Sequence, residues 1–211
     1  MKKLVIWFVL LAAVVIVAVG AYWWLDLRWR PRTITKHQAE IAKILDGAGW
    51  VSPGLTGPKI YMIGFRSCPG CIQAKAELLP PLQKAGVDTR VILFARRDVN
   101  GLARSTPAER ATVAELWLNR SWALMDRWDK APIEAWTAEG LPPADGDVAR
   151  TAVVDAGRAM VERLTPLLKD NGIGFGTPVL IWWSSDGVMH GCSCGSPSGW
   201  RFALKDLGAA E

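Results

Sequence analysis

The chain opens with one hydrophobic pattern and then changes to another. Leu4 to Leu25 is a run of 22 residues without a charge and without a polar face. As a helix it would measure about 33 Å, enough to cross the hydrocarbon core of a bilayer. The pattern therefore predicts a transmembrane anchor over 4–25 behind a short basic segment, 1–3. Lys2 and Lys3 precede the run, and Trp23, Trp24 and Trp29 stand where an interfacial aromatic belt would lie. A cleaved signal peptide is the rival reading, because Ala18-Val19-Gly20 and Val19-Gly20-Ala21 place small residues suitably. The run is longer than a signal peptide needs and ends in bulky Tyr22-Trp23-Trp24-Leu25, which favours an uncleaved anchor. Arg28, Arg30 and Arg32 on the far side compete with Lys2 and Lys3, so charge alone does not set the orientation.

Beyond residue 25 the apolar positions fall into short periodic runs. Thr33 to Ala48 has helical spacing with Ile34, Ile41, Ile44 and Leu45 inward, and glycines and prolines from Gly47 to Pro58 mark a loop. Together 26–58 reads as a juxtamembrane helix and loop. Lys59 to Phe65 reads as a buried strand, Ile72 to Ala85 as a helix with Ile72, Ala76, Leu79 and Leu82 on one face, and Thr89 to Ala95 as a second strand. Thr106-Pro107-Ala108-Glu109 is a capping box with Pro at the first helical position, opening a helix whose apolar face is Val113, Leu116 and Trp117. Trp122 to Trp136 continues the helical pattern and breaks at Pro132. Asp147 can cap a further helix carrying Val148, Val153, Val154, Met160 and Leu164, ending near Gly172. Pro178 to Trp183 and Val188 to His190 read as a hairpin through Ser184-Ser185-Asp186-Gly187, and Ser196-Pro197 opens a last helix to Leu207. The order is strand, helix, strand, helical insertion at about 102–172, hairpin, helix: one α/β domain over 59–211.

The junction between the first strand and its helix carries Cys68-Pro69-Gly70-Cys71. A Cys-x-x-Cys there places the first sulfur beside unpaired backbone N–H groups and the positive end of the helix dipole, and both favour the thiolate. The second Cys, a turn away, can attack a mixed disulfide formed at the first, which is the machinery of a dithiol–disulfide exchanger. The competing readings are half a zinc site, for which no suitably spaced second pair follows, and a structural bridge, which in so short a loop constrains little.

A second pair, Cys192-Ser193-Cys194, follows Met189-His190-Gly191. In a fully extended strand its Cα atoms would lie ~6.6 Å apart, near the limit for a disulfide, and a bend at the flanking glycines would bring them closer. It reads as a second redox or structural disulfide, as soft metal ligands for copper or zinc together with His190, or as two inert thiols. The net charge of +5 is modest and partly juxtamembrane, and no aromatic-interleaved basic patch suggests nucleic acid. Of the twelve tryptophans, Trp7, Trp23, Trp24 and Trp29 belong to the membrane segment, and Trp117, Trp182 and Trp183 fall on core-like positions. Trp200 is either core or part of a client surface, and His37 is expected to be solvated on its helix.

The order of elements resembles a thioredoxin fold with a helical insertion, here preceded by one transmembrane helix. The segments Phe65 to Cys71, Ala85 to Arg96 and Gly174 to Pro178 resemble the catalytic domain of DsbC/DsbG-type bacterial protein disulfide isomerases. The resemblance implies Cys68 as nucleophile and Cys71 as resolving thiol, with Thr177-Pro178 as a cis-proline turn facing them, so that Thr177, Pro178, Pro69 and Gly70 would meet the client. It implies no cofactor, cysteine-containing protein clients and a membrane redox partner. The expected place is the bacterial inner membrane, with the soluble part in the periplasm where disulfides persist, or the soluble periplasm if the leader is cleaved. This chain departs from the family in having only about thirty residues where a dimerisation domain would precede the catalytic one. It departs again at Met62, where thioredoxins and their oxidising relatives carry a buried acid.

Overall fold

The computed structural model describes residues 2–210. A long helix, α1 (Lys2–Leu25), leads through a single 3-10 turn at Leu27–Trp29 into an α/β body. The body runs β1 (Arg32–Thr33), α2 (Gln38–Gly47), β2 (Lys59–Gly64), α3 (Pro69–Glu77), α4 (Leu79–Lys84) and β3 (Asp88–Leu93). Then come α5 (Pro107–Asn119), α6 (Trp122–Lys130), α7 (Val148–Lys169), β4 (Val179–Trp183), β5 (Met189–Ser193) and α8 (Pro197–Asp206).

Five strands form one sheet in the order β1-β5-β4-β2-β3. β2 and β3 are parallel, with Lys59 opposite Asp88 and Gly64 opposite Leu93, while β4 runs antiparallel to both β2 and β5. The parallel pair is joined through α3 and α4, the crossover that such a connection requires. Both faces of the sheet are covered, which is why its central strands read as continuous apolar runs rather than as alternation. Ile60, Met62, Leu180 and Trp182 pack towards α3–α6 and α8, through Ala74, Leu82, Val113, Trp128 and Trp200. Tyr61, Ile63, Val179 and Ile181 pack the other way against α2 and α7, through Ile41, Leu45, Met160 and Leu164.

The caps expected from sequence are in place. Thr106 Oγ1 accepts from the Glu109 N–H at 3.0 Å, and Asp147 Oδ1 accepts from the Arg150 N–H at 2.9 Å. α1 is long and apolar enough to cross a membrane, and the described side chains from Ile6 to Trp24 are exposed.

Three local expectations are corrected. Arg32–Thr33 is an edge strand paired with His190 and Gly191, and the helix begins only at Gln38, with His37 as its N-cap at φ 60°. Ile34 is fully buried as expected, but through the strand extension, not through helical periodicity. The helix after Cys71 is two helices, broken at Leu78, and Pro80 and Pro81 lie in the first turn of the second. Leu79 and Leu82 are buried as expected, together with Cys71, Ala74 and Leu78, whereas Ile72 and Ala76 point outward.

Candidate redox site

β2 ends at Gly64, and the loop 65–68 turns the chain into α3 so that Cys68 is the helix N-cap with Pro69 at the first helical position. A capping residue must offer an acceptor to the unpaired N–H groups of the first turn, and here the acceptor is sulfur. Cys68 Sγ accepts the Cys71 N–H at 3.2 Å, and the Cys68 carbonyl accepts from Cys71 and Ile72, each at 3.0 Å. Cys68 and Cys71 are joined as a disulfide, Cα–Cα 5.2 Å. Cys71 is fully buried and Cys68 is 2% exposed. Cys71 Sγ sits directly over the Cα of Gly64, so that a side chain at 64 would collide with the sulfur.

The opposite wall is the Thr177–Pro178 peptide, which is cis. A Cβ on Gly70 would stand 3.0 Å from Pro178 Cδ and 3.0 Å from Gly195 Cα. The absence of a side chain at 70 is what lets α3 close on the proline. The structure thus brings Pro69, Gly70 and Pro178 to one rim around the disulfide.

The second pair is part of the same wall. β5 runs three residues beyond the expected strand, placing Cys192 opposite Leu180 and Ser193 opposite Val179. Cys192 and Cys194 are bonded to each other, Cα–Cα 5.4 Å. Ser193 Oγ donates to the Gly174 carbonyl and accepts the Gly176 N–H at 3.1 Å, and the Cys194 N–H donates to the Pro178 carbonyl at 3.2 Å. The Cys-x-Cys segment therefore holds the loop that carries Pro178. His190 stacks on Trp182 with ring centroids 5.7 Å apart, and among the described residues no three His, Cys, Asp or Glu side chains converge as a metal-holding cluster. Trp200 is buried at the start of α8 and belongs to the core.

Charged residues that sequence reasoning did not single out grip the loop before Cys68. Arg66 is 6% exposed and donates to the Trp128 carbonyl at 2.6 Å and the Ala131 carbonyl at 2.5 Å, tying the loop to the C-terminal end of α6. It also pairs with Asp129, whose other partner is Lys75 of α3. Burial pushes the Lys75 ammonium below its ordinary value, and Asp129 opposes that shift. Arg96 donates to Ser67 Oγ at 3.0 Å and lies over the Phe65 ring. Glu109 is buried below this loop. Burial pushes its carboxyl up, against the pull of Arg96 and of backbone N–H groups of Thr106 and Arg66. Its position was visible as a capping box, but its contact with the redox loop has no local sequence signal, because 43 residues separate it from Arg66.

Comparison with solved structures bears on the fold. Salmonella enterica Typhimurium BcfH superposes with a TM-score of 0.53 at 15% identity, covering 95% of this chain and 88% of its own. A variant of Proteus mirabilis ScsC with a linker deletion and one point substitution superposes at 0.52 with 11% identity, covering 82% of this chain and 81% of its own. The chain has the thioredoxin-like fold. At these identities the likeness concerns the fold, and the chemistry must come from the residues. No family model matches the chain, and no curated protein matches it. The narrower resemblance to DsbC and DsbG gains nothing from these comparisons. In the thioredoxin-like frame, α5–α7 lie between β3 and the β4–β5 hairpin, with α5 and α6 on the face of the redox helix and α7 on the other.

Proposed function

We propose that this protein is a thiol–disulfide oxidoreductase that reduces or isomerises disulfides of exported proteins, held at the inner membrane by α1 with its body in the periplasm. The observation that carries the reading is the sulfur of Cys68 capping a helix N-terminus, with the sulfur of Cys71 one turn inside and buried. The backbone N–H groups and helix dipole there stabilise a thiolate at Cys68 and do less for Cys71.

In the reduced protein the Cys68 thiolate attacks a client disulfide. The client S–S bond breaks, one client sulfur leaves as a thiolate that takes a proton from solvent, and a mixed disulfide forms at Cys68. Cys71, deprotonated, then attacks Cys68 Sγ and expels the second client sulfur. The client gains two electrons and the Cys68–Cys71 bond forms. In isomerisation the released client thiolate re-attacks before Cys71 does, and the electrons return. Pro178, Thr177, Pro69 and Gly70 form the rim against which an extended client segment would lie. α1 supports membrane attachment by its length and its exposed apolar surface.

Insulin-disulfide reduction by the full chain in detergent, with dithiothreitol as electron source, tests the activity. Turnover above the uncatalysed rate is expected, and it should vanish in Cys68→Ser. No acceleration by the wild type would overturn the reading.

A further inference from the structure

Cys192–Cys194 bridges a residue of β5 that the β4–β5 ladder already holds and the residue just past the strand's end, whose N–H is bound by the Pro178 carbonyl. A loop so short removes little entropy from the unfolded chain, so stability does not account for the bridge. Its surroundings resemble those of a reactive pair. Cys192 and Cys194 are 9% and 6% exposed, more open than Cys68 at 2%. They line a cavity of about 260 Å³ whose other walls include Gly199 and the arginines Arg28, Arg30 and Arg32. Arg30 is engaged by Asp26 and Arg28 is stacked over the Trp24 and Trp29 rings, while among the described residues neither Arg28 nor Arg32 pairs with a carboxylate. Guanidinium groups whose charge no carboxylate neutralises, in a cavity lined by a disulfide, attract an anionic thiolate and stabilise the thiolate that leaves. On the other side, the Cys194 N–H binds the Pro178 carbonyl, and the next residue, Gly195, packs on Gly70 between Cys68 and Cys71.

We propose that Cys192–Cys194 is a second redox couple that takes electrons from an external thiol through the arginine-lined cavity and passes them to Cys68–Cys71. This rests on the dithiol reading of Cys68 and Cys71. The donor is a thiol compound or a partner dithiol, and the cavity lies beside residues 28–32, directly after α1. A donor thiolate attacks one sulfur of the 192–194 bond, which breaks, and a mixed disulfide forms. A second donor thiolate displaces the first, leaving two reduced cysteines and an oxidised donor. One of these cysteines, as thiolate, attacks the Cys68–Cys71 bond, and the other closes the 192–194 disulfide again. The pair Cys68–Cys71 ends reduced, with two electrons moved and two protons taken from solvent.

The full chain in detergent is the material, and glutathione is the probe. In Cys68→Ser/Cys71→Ser, mass-tag alkylation across glutathione redox buffers should show the remaining pair converting reversibly between disulfide and dithiol while the fold persists by circular dichroism. In Cys192→Ser/Cys194→Ser, reduction of Cys68–Cys71 by glutathione should slow at least tenfold. Arg28→Gln/Arg32→Gln keeps all four cysteines and should slow it several-fold, so the test stands even if the serine variant fails to fold. A second pair that stays oxidised until the protein unfolds would overturn the proposal, as would an unchanged rate in a folded serine variant or in the arginine variant. Insulin reduction by the wild type, driven by dithiothreitol, reads the Cys68–Cys71 activity separately, so failure of the relay is distinguishable from failure of the activity.

Discussion

Arg66→Ala should be among the most destabilising single changes near the redox loop. The guanidinium donates to the carbonyls of Trp128 and Ala131 at 2.6 and 2.5 Å and pairs with Asp129 at 3.3 Å, all in a position 6% exposed. Each bond to a charged donor is worth roughly 1.5–3 kcal/mol when lost from a buried site. Two effects pull the total towards the low end. Asp129 retains Lys75, so no carboxylate is left buried and alone. A cavity of about 400 Å³ bordered by Arg66 and Asp129 lets water reach the abandoned carbonyls. A loss of about 3 kcal/mol follows, which for a chain of this size lowers the melting temperature by roughly 6–12 °C. Arg66→Lys keeps a charge but cannot reach both carbonyls in a fork, and should cost about half as much. Urea melts followed by tryptophan fluorescence measure the difference. A loss below about 1 kcal/mol for Arg66→Ala would show that the loop before Cys68 is not held by this arginine.

Other changes test neighbouring parts of the account. Gly70→Ala places a methyl 3.0 Å from Pro178 Cδ and Gly195 Cα, and should cost about 1–3 kcal/mol and slow mixed-disulfide formation; unchanged rate and stability would contradict the close packing. Glu109 has its carboxyl raised by burial, so the stability it contributes is present below its ordinary value of 4.5 and is lost as pH rises through the higher folded value. Unfolding free energies from pH 4 to 8 should therefore fall for the wild type relative to Glu109→Gln as pH rises, and a difference that is constant or of opposite sign would refute the assignment. Trp117→Phe removes the indole bond to the Leu93 carbonyl at 2.7 Å and should lower stability by about 1 kcal/mol in the same urea melts, with no change in thiol chemistry.

Sequence reasoning reached the redox loop because its signals are local. A Cys-x-x-Cys, an apolar run before it and a proline at the first helical position all fall within a dozen residues. The start of the helix at residues 33–48 is hidden in the sequence because Ile34 continues the helical period of Ile41 and Ile44, and the partners that make Arg32–Thr33 a strand, Gly191 and His190, are 159 and 157 residues away. Ile72 and Ala76 fitted a helical face with Leu79 and Leu82, but the break at Leu78 rotates the second helix relative to the first, and the buried face moves to Cys71, Ala74 and Leu78. β5 was cut short at His190 because Gly191 interrupts the apolar pattern. A Cβ there would stand 2.9 Å from Ile173 and 3.0 Å from Ile34, so the glycine marks close packing and not a strand end. The grip of Arg66, Arg96 and Glu109 on the loop was invisible for a related reason: charged residues in a polar stretch show nothing of their partners until the insertion packs against the redox helix.

The asymmetry of the two sulfurs is the claim on which the account stands, and thiol trapping measures it. Cys71→Ser and Cys68→Ser, each in the full chain with the other three cysteines kept, are incubated in reduced form with a disulfide-containing client. Non-reducing electrophoresis and mass spectrometry then score mixed disulfides and locate the bond. Cys71→Ser should accumulate client bound through Cys68, and Cys68→Ser should accumulate almost none through Cys71, whose sulfur is fully buried. Equal trapping through Cys68 and Cys71, or trapping mainly through Cys71, would contradict the account.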